Sequence, residues 1–439
     1  MYPSEGLQTA LNKMREMSVD NGSIYHQYVP VATSSSTIGE FGVPILDPSN
    51  TAVLNDFVSL LKKVIFTAVY AKTFNNPLAE LEGDRIPLGQ FIEDVYVNPA
   101  KPRGFNVNDF AGLLQKYEAK IATQYLSVNS DLQYPVTITR EKIRNAFTSF
   151  DTLESFISGI INSLYNGAYI TRYRQTKGLL LAAYKGNNIQ YETVSAVSDE
   201  ATGKALIEKM RATFSKMRIP STSFNAWNKV KGGDLALETW SDPEDIIVLI
   251  SADVEAKLDV NVLAKAFNMD KTDFLGRVIV VDSFTDGDVD GSAIQAVICD
   301  RSWFKIKTQD FAMDEFYNAN NRTWQYYLND VRMVNFSLFA NAVAFVTSAP
   351  TVPATDVKVS SASATVVEGA KVTVPFELVP ANATSAVTVS SSAEGKATAQ
   401  IKGKGIEITG VEAGNATITV TANSHSATIS VTVTEAPSE

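Results

Sequence analysis

Apolar residues recur at one- and three-residue steps in two stretches of the chain. Val53, Leu54, Phe57, Leu60, Leu61, Val64 and Ile65 trace one face of a helix between Thr51 and Tyr70. Leu153, Phe156, Ile157, Ile160, Ile161, Leu164, Tyr165 and Ala168 keep the same rhythm without a break. Asp151 with Glu154 reads as a capping-box start for this second helix. Continued to Lys185, ahead of Gly186-Asn187-Asn188, it spans about 50 Å at ~1.5 Å per residue, enough for a spine across a flat domain.

Elsewhere the period shortens. Phe91 to Val97 and Ile121 to Leu126 are short β-like runs that bracket Asn98-Pro99-Ala100-Lys101-Pro102-Arg103-Gly104, which predicts a two-stranded excursion between about Phe74 and Arg140. An isolated ribbon is marginal in water, so this one is expected to pack on its own body or on another subunit. Ile246 to Ile250 is an unbroken apolar run, the mark of a buried strand. A helix from Val254 to Phe267 and strands at Val278 to Val281 and Ala293 to Cys299 complete a small α/β unit. Phe336, Leu338, Phe339, Val343, Phe345 and Val346 return the chain to the main core. Before about Asn50, polar residues and the tract Thr33-Ser34-Ser35-Ser36-Thr37 surround a short helical pattern at Leu7, Leu11 and Met14, which predicts an extended arm.

Composition changes near Pro350. Of 22 Phe, 16 Tyr and 4 Trp, only Phe376 lies beyond Thr351, where Val, Thr, Ser and Ala dominate. Ser348 to Ala354, with two prolines, reads as a linker. Beyond it, alternating runs at Val357, Lys371, Val387, Gly405, Thr417 and Ile429 are separated by turn residues such as Glu368-Gly369 and Gly414-Asn415. They predict a sandwich of about seven strands.

The chain has 439 residues, 38 Lys plus Arg and 48 Asp plus Glu, for a net charge of −10. Such a balance argues against gripping a phosphate backbone by bulk attraction. The single cysteine, Cys299, sits in an apolar run and cannot form an internal disulfide. The start of the chain lacks a signal-peptide pattern and no run approaches the ~20 apolar residues of a membrane span, so cytoplasmic synthesis is expected. With only His26 and His425, histidine-based metal sites and serine triads have little material.

Asp286-Gly287-Asp288-Val289-Asp290-Gly291 matches the first half of a calcium-binding helix–loop–helix motif, but Val297 stands where the closing Glu belongs. An acidic turn between strands accounts for the same residues. The pairs Glu93 with Asp94, and Asp242 with Glu244 and Asp245, are read as solvated acids and not as a hydrolytic couple. Lys204, Lys209, Arg211, Lys216 and Arg218, interleaved with Met210, Phe214 and Met217, are read as the charged face of an amphipathic helix and not as an RNA-binding helix. Phosphate-binding loops and nucleophile elbows are absent from the sequence. No catalytic, cofactor-binding or metal-binding residue is assigned, and no enzyme activity is expected.

Several ordered blocks resemble one family. They are Tyr28-Val29-Pro30-Val31-Ala32-Thr33, Asn76-Pro77-Leu78, Ile86-Pro87-Leu88-Gly89, Glu154 to Asn162, Asp259 to Met269 with Thr272 to Gly276, and Phe339 to Val346. Together they resemble the major capsid protein of small short-tailed bacteriophages with protein-primed linear DNA genomes. The run from Val387 through Val420 is similar to the bacterial immunoglobulin-like group 2 domain, with Val389 where that family often has Trp. The resemblance implies an α+β tailed-phage capsid (Johnson) fold. It divides the chain into an N-terminal arm (1–50), a capsid core (51–350) and an immunoglobulin-like domain (355–434). Within the core it implies an extended loop (about 74–140), a peripheral domain with a spine helix (about 151–185) and an axial domain (about 218–324). It further implies pentamers and hexamers in an icosahedral or prolate shell, a scaffolding protein, a portal or connector, packaged double-stranded DNA contacted non-specifically, and no membrane partner. Nanocompartment shell proteins share the fold, and a secreted adhesin could carry a similar tail; both stand as alternatives at this level.

Overall fold

The computed structural model describes residues 4–65, 74–87, 89, 91–104, 116–231, 235–258 and 278–435, without the side chains of 61–65 and 161. In chain order its helices are α1 (Glu5–Asp20), α2 (Tyr25–Tyr28), α3 (Ile38–Leu46), α4 (Thr51–Ile65), α5 (Arg140–Ala146), α6 (Phe150–Lys185), α7 (Glu200–Met217), α8 (Trp227–Val230) and α9 (Ala252–Glu255). Its strands through the main body are β1 (Glu82–Gly83), β2 (Ile92–Val97), β3 (Ile121–Leu126), β4 (Ser130–Thr139), β5 (Gln190–Thr193), β6 (Ile246–Ser251), β7 (Val278–Val281), β8 (Ile294–Asp300), β9 (Phe304–Asn318), β10 (Thr323–Phe336) and β11 (Ala342–Val346). The tail supplies β12 (Asp356–Val359), β13 (Ser363–Val367), β14 (Lys371–Val379), β15 (Val387–Ser391), β16 (Ala397–Lys402), β17 (Gly405–Gly410), β18 (Gly414–Ala422) and β19 (His425–Thr434).

Contacts divide the chain into two units. The first comprises Met1–Ile92, Leu126–Thr176 and Lys305–Asn335. Its four-stranded sheet has the order β1-β9-β10-β4, with Trp324 opposite Ile138 and Leu328 opposite Tyr134. Leu153, Ile157, Ile160, Leu164 and Ala168 of α6 are buried in one core with Trp324, Tyr326 and Leu328, the inward face of β10. α6 has 36 residues, as its unbroken apolar rhythm predicts. Its start differs from the expected Asp151 cap. Ser149 and Thr152 exchange the capping bonds instead, Ser149 N donating to Thr152 Oγ1 at 2.9 Å and Thr152 N to Ser149 Oγ at 3.2 Å.

Residues 1–50 do not form an extended arm over the described part. Leu7, Ala10, Leu11 and Met14 of α1, Tyr25 of α2 and Phe41 and Ile45 of α3 all join that core. The physical reason is aromatic partnership from distant segments: Tyr25 stacks on Phe57 at 6.3 Å and Phe41 meets Phe150 edge-on at 6.0 Å. The Ser/Thr tract is a turn, Thr33 N donating to Ser36 Oγ at 3.0 Å, ahead of an N-terminal Thr37 N to Glu40 Oε1 bond of 3.3 Å.

The second unit comprises Glu93–Tyr125, Lys177–Phe304 and Phe336–Glu439. Its mixed five-stranded sheet has the order β5-β11-β8-β6-β7. Every residue of β6, β8 and β11 is buried, which is why those sequences run apolar without alternation. α7 covers the sheet through Leu206, Ile207, Met210, Phe214 and Met217. Cys299 lies within β8, and burial pushes its thiol pKa well up. Of the helix expected from Val254 to Phe267 only α9 falls within the described residues; the blocks Asp259 to Met269 and Thr272 to Gly276 lie outside them.

Two expected boundaries shift. β4 pairs with β10 and β1 with β9, so Ser130–Thr139 belongs to the first unit's sheet, and among the described residues β2 and β3 make the two-stranded ribbon. For the same reason β9 and the start of β10, residues 305–324, leave the axial unit, because their length is spent bridging β1 and β4.

The tail is two four-stranded sheets, β12-β14-β17-β16 and β13-β19-β18-β15. Val374, Phe376, Ile406, Ile408, Ile418, Val420, Ile429 and Val431 fill the space between them. It has eight strands where about seven were expected; the six alternating runs become β12, β14, β15, β17, β18 and β19, and β13 and β16 are the two the pattern lacks.

Candidate functional site

The ribbon presents two unlike faces. Along β2, Ile92, Asp94 and Tyr96 are half-buried, while Glu93, Val95 and Val97 are exposed. Along β3, Ala122 and Leu126 are buried, while Ile121 and Tyr125 are exposed. The inner face is anchored within the second unit. Tyr96 Oη donates to Glu238 O, Asn98 Nδ2 donates to Ala236 O at 2.9 Å and accepts, through Oδ1, from Glu238 N at 2.9 Å. Ser337 Oγ donates to Asp94 Oδ2 at 2.6 Å, and Gln124 brackets Phe336 O and Leu338 N. Burial and the nearby Glu238 raise the Tyr96 pKa. A small cluster of Ala122, Leu237 and Phe339, with Tyr96 and Trp227 against it, completes the anchor.

The outer face carries Val95, Val97, Ile121 and Tyr125, with Tyr125 73% exposed. The negative charge of Glu93, on the neighbouring strand, raises the Tyr125 phenol pKa. This is a fixed, apolar, water-facing sheet of the kind that marks an association surface. The Phe91 to Val97 and Ile121 to Leu126 runs thus come together as the sequence predicts.

A second constellation escapes the sequence reading. Arg172 of α6 forks onto Asp330 of β10, Nε to Oδ2 at 2.9 Å and Nη2 to Oδ1 at 2.7 Å, and reaches Glu82 of β1 at 3.4 Å. Arg332 Nη2 meets the other oxygen of Glu82 at 2.5 Å, and its Nη1 donates to Gln175 at 3.2 Å. The Arg172 guanidinium also lies 4.3 Å above the Phe311 ring. Burial lowers the Arg332 pKa; at Arg172 burial is opposed by Asp330, and the balance lies above the usual value. Two guanidinium and two carboxylate groups close a charge-compensated set. The signal was present in phase: Arg172 follows Leu164 and Ala168 on the inner stripe, and Asp330 and Arg332 follow Tyr326 and Leu328 on the inward face of β10.

The remaining sequence candidates stay apart. The Asp286 loop joins β7 to β8; Asp286 and Val289 exchange main-chain bonds of 3.2 and 3.0 Å, and Asp290 accepts from Ser292 N, which lowers its carboxyl pKa. Gly291 is required there, since an added Cβ would fall 2.3 Å from Phe284 O. Among the described residues no group of three or more His, Cys, Asp or Glu is placed to hold a metal ion. Asp94 is spent on Ser337, and Asp245 contributes its carbonyl to Arg301 N at 2.8 Å. In α7 the Met and Phe residues between the cations are buried in the core. Among the described residues no helix is long and apolar enough to cross a membrane.

Comparison with known proteins gives a consistent picture. The profile of the Phi29-like phage major capsid protein family matches residues 11–346, and that of the bacterial Ig-like domain (group 2) matches residues 353–433. The major capsid protein of Bacillus phage PZA is 34% identical over 374 residues, 84% of this chain and 80% of that protein. That of Bacillus phage B103 is 33% identical over 366 residues, 82% of this chain and 77% of that protein. Among solved structures, a chain of the capsid of Staphylococcus phage Andhra aligns with a TM-score of 0.54 at 15% identity, over 64% of this chain and 86% of that one, a likeness of fold.

Proposed function

From membership in the Phi29-like phage major capsid protein family, to which this chain belongs and which makes it a subunit of the virion's multi-subunit shell, we propose how it is used. Pentamers and hexamers close around double-stranded DNA with the help of a scaffolding protein, and a portal or connector occupies one vertex. Synthesis is in the host cytoplasm, no residue performs chemistry, and the packaged DNA is touched without sequence preference, in keeping with a net charge of −10. The capsid core runs to about residue 350, and the immunoglobulin-like domain, about 355–434, faces outward, where packaged DNA does not crowd it.

The observation that carries this reading is the outer face of the ribbon. One subunit anchors Tyr96, Asn98 and Gln124 and leaves Val95, Val97, Ile121 and Tyr125 to water, an arrangement that becomes favourable when a neighbouring subunit covers it. The test is coexpression with the phage scaffolding protein followed by electron microscopy. Closed shells are expected with the scaffold, and small oligomers or irregular assemblies without it. A chain ending at Ser348 is expected still to build shells. Strictly monomeric protein in the presence of scaffold, or complete failure of the shortened chain to assemble, would overturn the respective part.

A further inference from the structure

The spine helix ends in a way that leaves a carbonyl to spare. Asn188 N donates to Ala183 O at 2.7 Å and Asn187 N to Tyr184 O at 2.9 Å, the two crossed bonds of a Schellman C-cap, with Asn187 in the left-handed region at φ 53°. Asn fits there because its short amide tolerates that conformation. Gly186 O, the next acceptor, lies beyond these bonds.

A residue of the tail reaches it. Asn382, in the turn between β14 and β15, donates through Nδ2 to Gly186 O and to Asn188 Oδ1, the latter at 3.0 Å. In return Asn187 Nδ2 donates to Asn382 O at 2.9 Å. The exchange is reciprocal, side chain to main chain in both directions, and Asn187 is only 6% exposed. The same corner is held from a third side, where Lys229 Nζ of α8 donates to Ile189 O at 2.9 Å. Beside the contact, Val230, Lys231, Pro375, Leu378 and Ala381 line a cavity of 520 Å³.

The linker is tied as well. Tyr184 Oη donates to Ser348 O at 2.8 Å on the body side. On the module side Val352 N donates to Thr384 Oγ1 and Ala354 N to Ser385 Oγ, both at 2.8 Å.

We propose that the immunoglobulin-like module is not a loosely tethered appendage but is latched to the C-terminal end of the spine helix, with Asn382 acting as the helix's final cap and Asn187 as its counterpart. The latch sets the module's orientation on its own subunit. It is a polar and therefore releasable contact, and it belongs to the single chain, independent of how shells assemble.

Hydrogen exchange read by mass spectrometry on the full chain tests it. In Asn382→Ala, peptides covering 183–190 and 347–354 are expected to exchange about tenfold faster, while β17 and β18 keep wild-type protection and show the module still folded. Asn187→Gly keeps the left-handed conformation and removes the side-chain amide, its donor included, so it is expected to loosen the turn at 380–384 without unfolding either part. Ser385→Ala, which disturbs the linker inside the module, is expected to leave 183–190 unchanged. Unaltered exchange at 183–190 in Asn382→Ala together with unaltered exchange at 380–384 in Asn187→Gly would overturn the latch. So would equal acceleration of 183–190 by Ser385→Ala.

Discussion

Replacing Glu82 by Gln tests the buried charge set at its centre. Glu82 holds Arg332, which is 0% exposed, through one oxygen and Arg172 through the other. Loss of its charge leaves two guanidinium groups facing Asp330 alone, a net positive charge under the sheet. Breaking a buried pair by removing one partner costs about 3–5 kcal/mol. Glu82 retains 17% exposure, which lets some water screen the set, so the lower end, about 3 kcal/mol, is expected. With a urea dependence near ~3 kcal/mol/M, that moves the unfolding midpoint by about 1 M. Arg332→Met alone leaves Glu82 to Arg172 and empties a site whose Nε already lacks a partner, so it should cost less. The double variant Glu82→Gln/Arg332→Met restores neutrality, and its cost is expected to fall at least 1 kcal/mol below the sum of the single changes. The assay is urea unfolding of the unassembled protein, followed by far-ultraviolet circular dichroism. A Glu82→Gln midpoint equal to wild type, or strict additivity in the cycle, would refute the argument that these four side chains act as one compensated set.

Other outcomes follow from single positions. Ile160 is 5% exposed on the inner stripe of α6, so Ile160→Asp buries a carboxylate without a partner; a loss of several kcal/mol is expected, read as collapsed soluble yield and helical signal. Glu407 accepts from Lys371, Gln400 and Lys402, which hold its carboxyl at about 2, below the ordinary 4.5. Its folded value is depressed, so its stabilisation is complete above about pH 4.5 and is lost as pH falls toward 2. Hydrogen exchange in β17 is expected to be slower in wild type than in Glu407→Gln at pH 6, with the gap closing near pH 2; a gap independent of pH would contradict this.

What the sequence disclosed depended on how each element is buried. α6 was legible because one face meets one core for most of its length, and β6 and β8 because burial on both faces removes alternation. The ribbon was legible from its short runs, and its anchoring was not, since Tyr96, Asn98 and Gln124 meet main-chain atoms more than a hundred residues away. The helical pattern at Leu7, Leu11 and Met14 was legible as α1, and the packing of the N-terminal region into the core was missed because Tyr25 and Phe41 take their partners from Phe57 and Phe150, which no local pattern links to them. The Glu82, Arg172, Asp330 and Arg332 set was missed for a related reason: charges on a core-facing phase are readable only once the phase is trusted over the residue type. In the tail, β13 and β16 are built from Ser, Ala, Thr and Gln as much as from apolar residues, and their pairing, not their composition, makes them strands.

The order of strands in the first unit's sheet has a consequence for how the protein is made. β1 lies beside β9, and Glu82 pairs with Ile306, a residue that leaves the ribosome roughly 220 positions later. At ~5–20 residues per second the early segment waits about 10–45 s before its partner exists. During that interval the helices α1 to α4 and the inner stripe of α6 have emerged without β10 to cover them. The tail has the opposite character: its strands pair only among one contiguous stretch of about 80 residues, so each has its partner soon after it is made. Translation speed and chaperone holding therefore bear on the body of the chain and hardly on its final module. Slowed synthesis or chaperone depletion is expected to produce aggregates whose tails are natively folded.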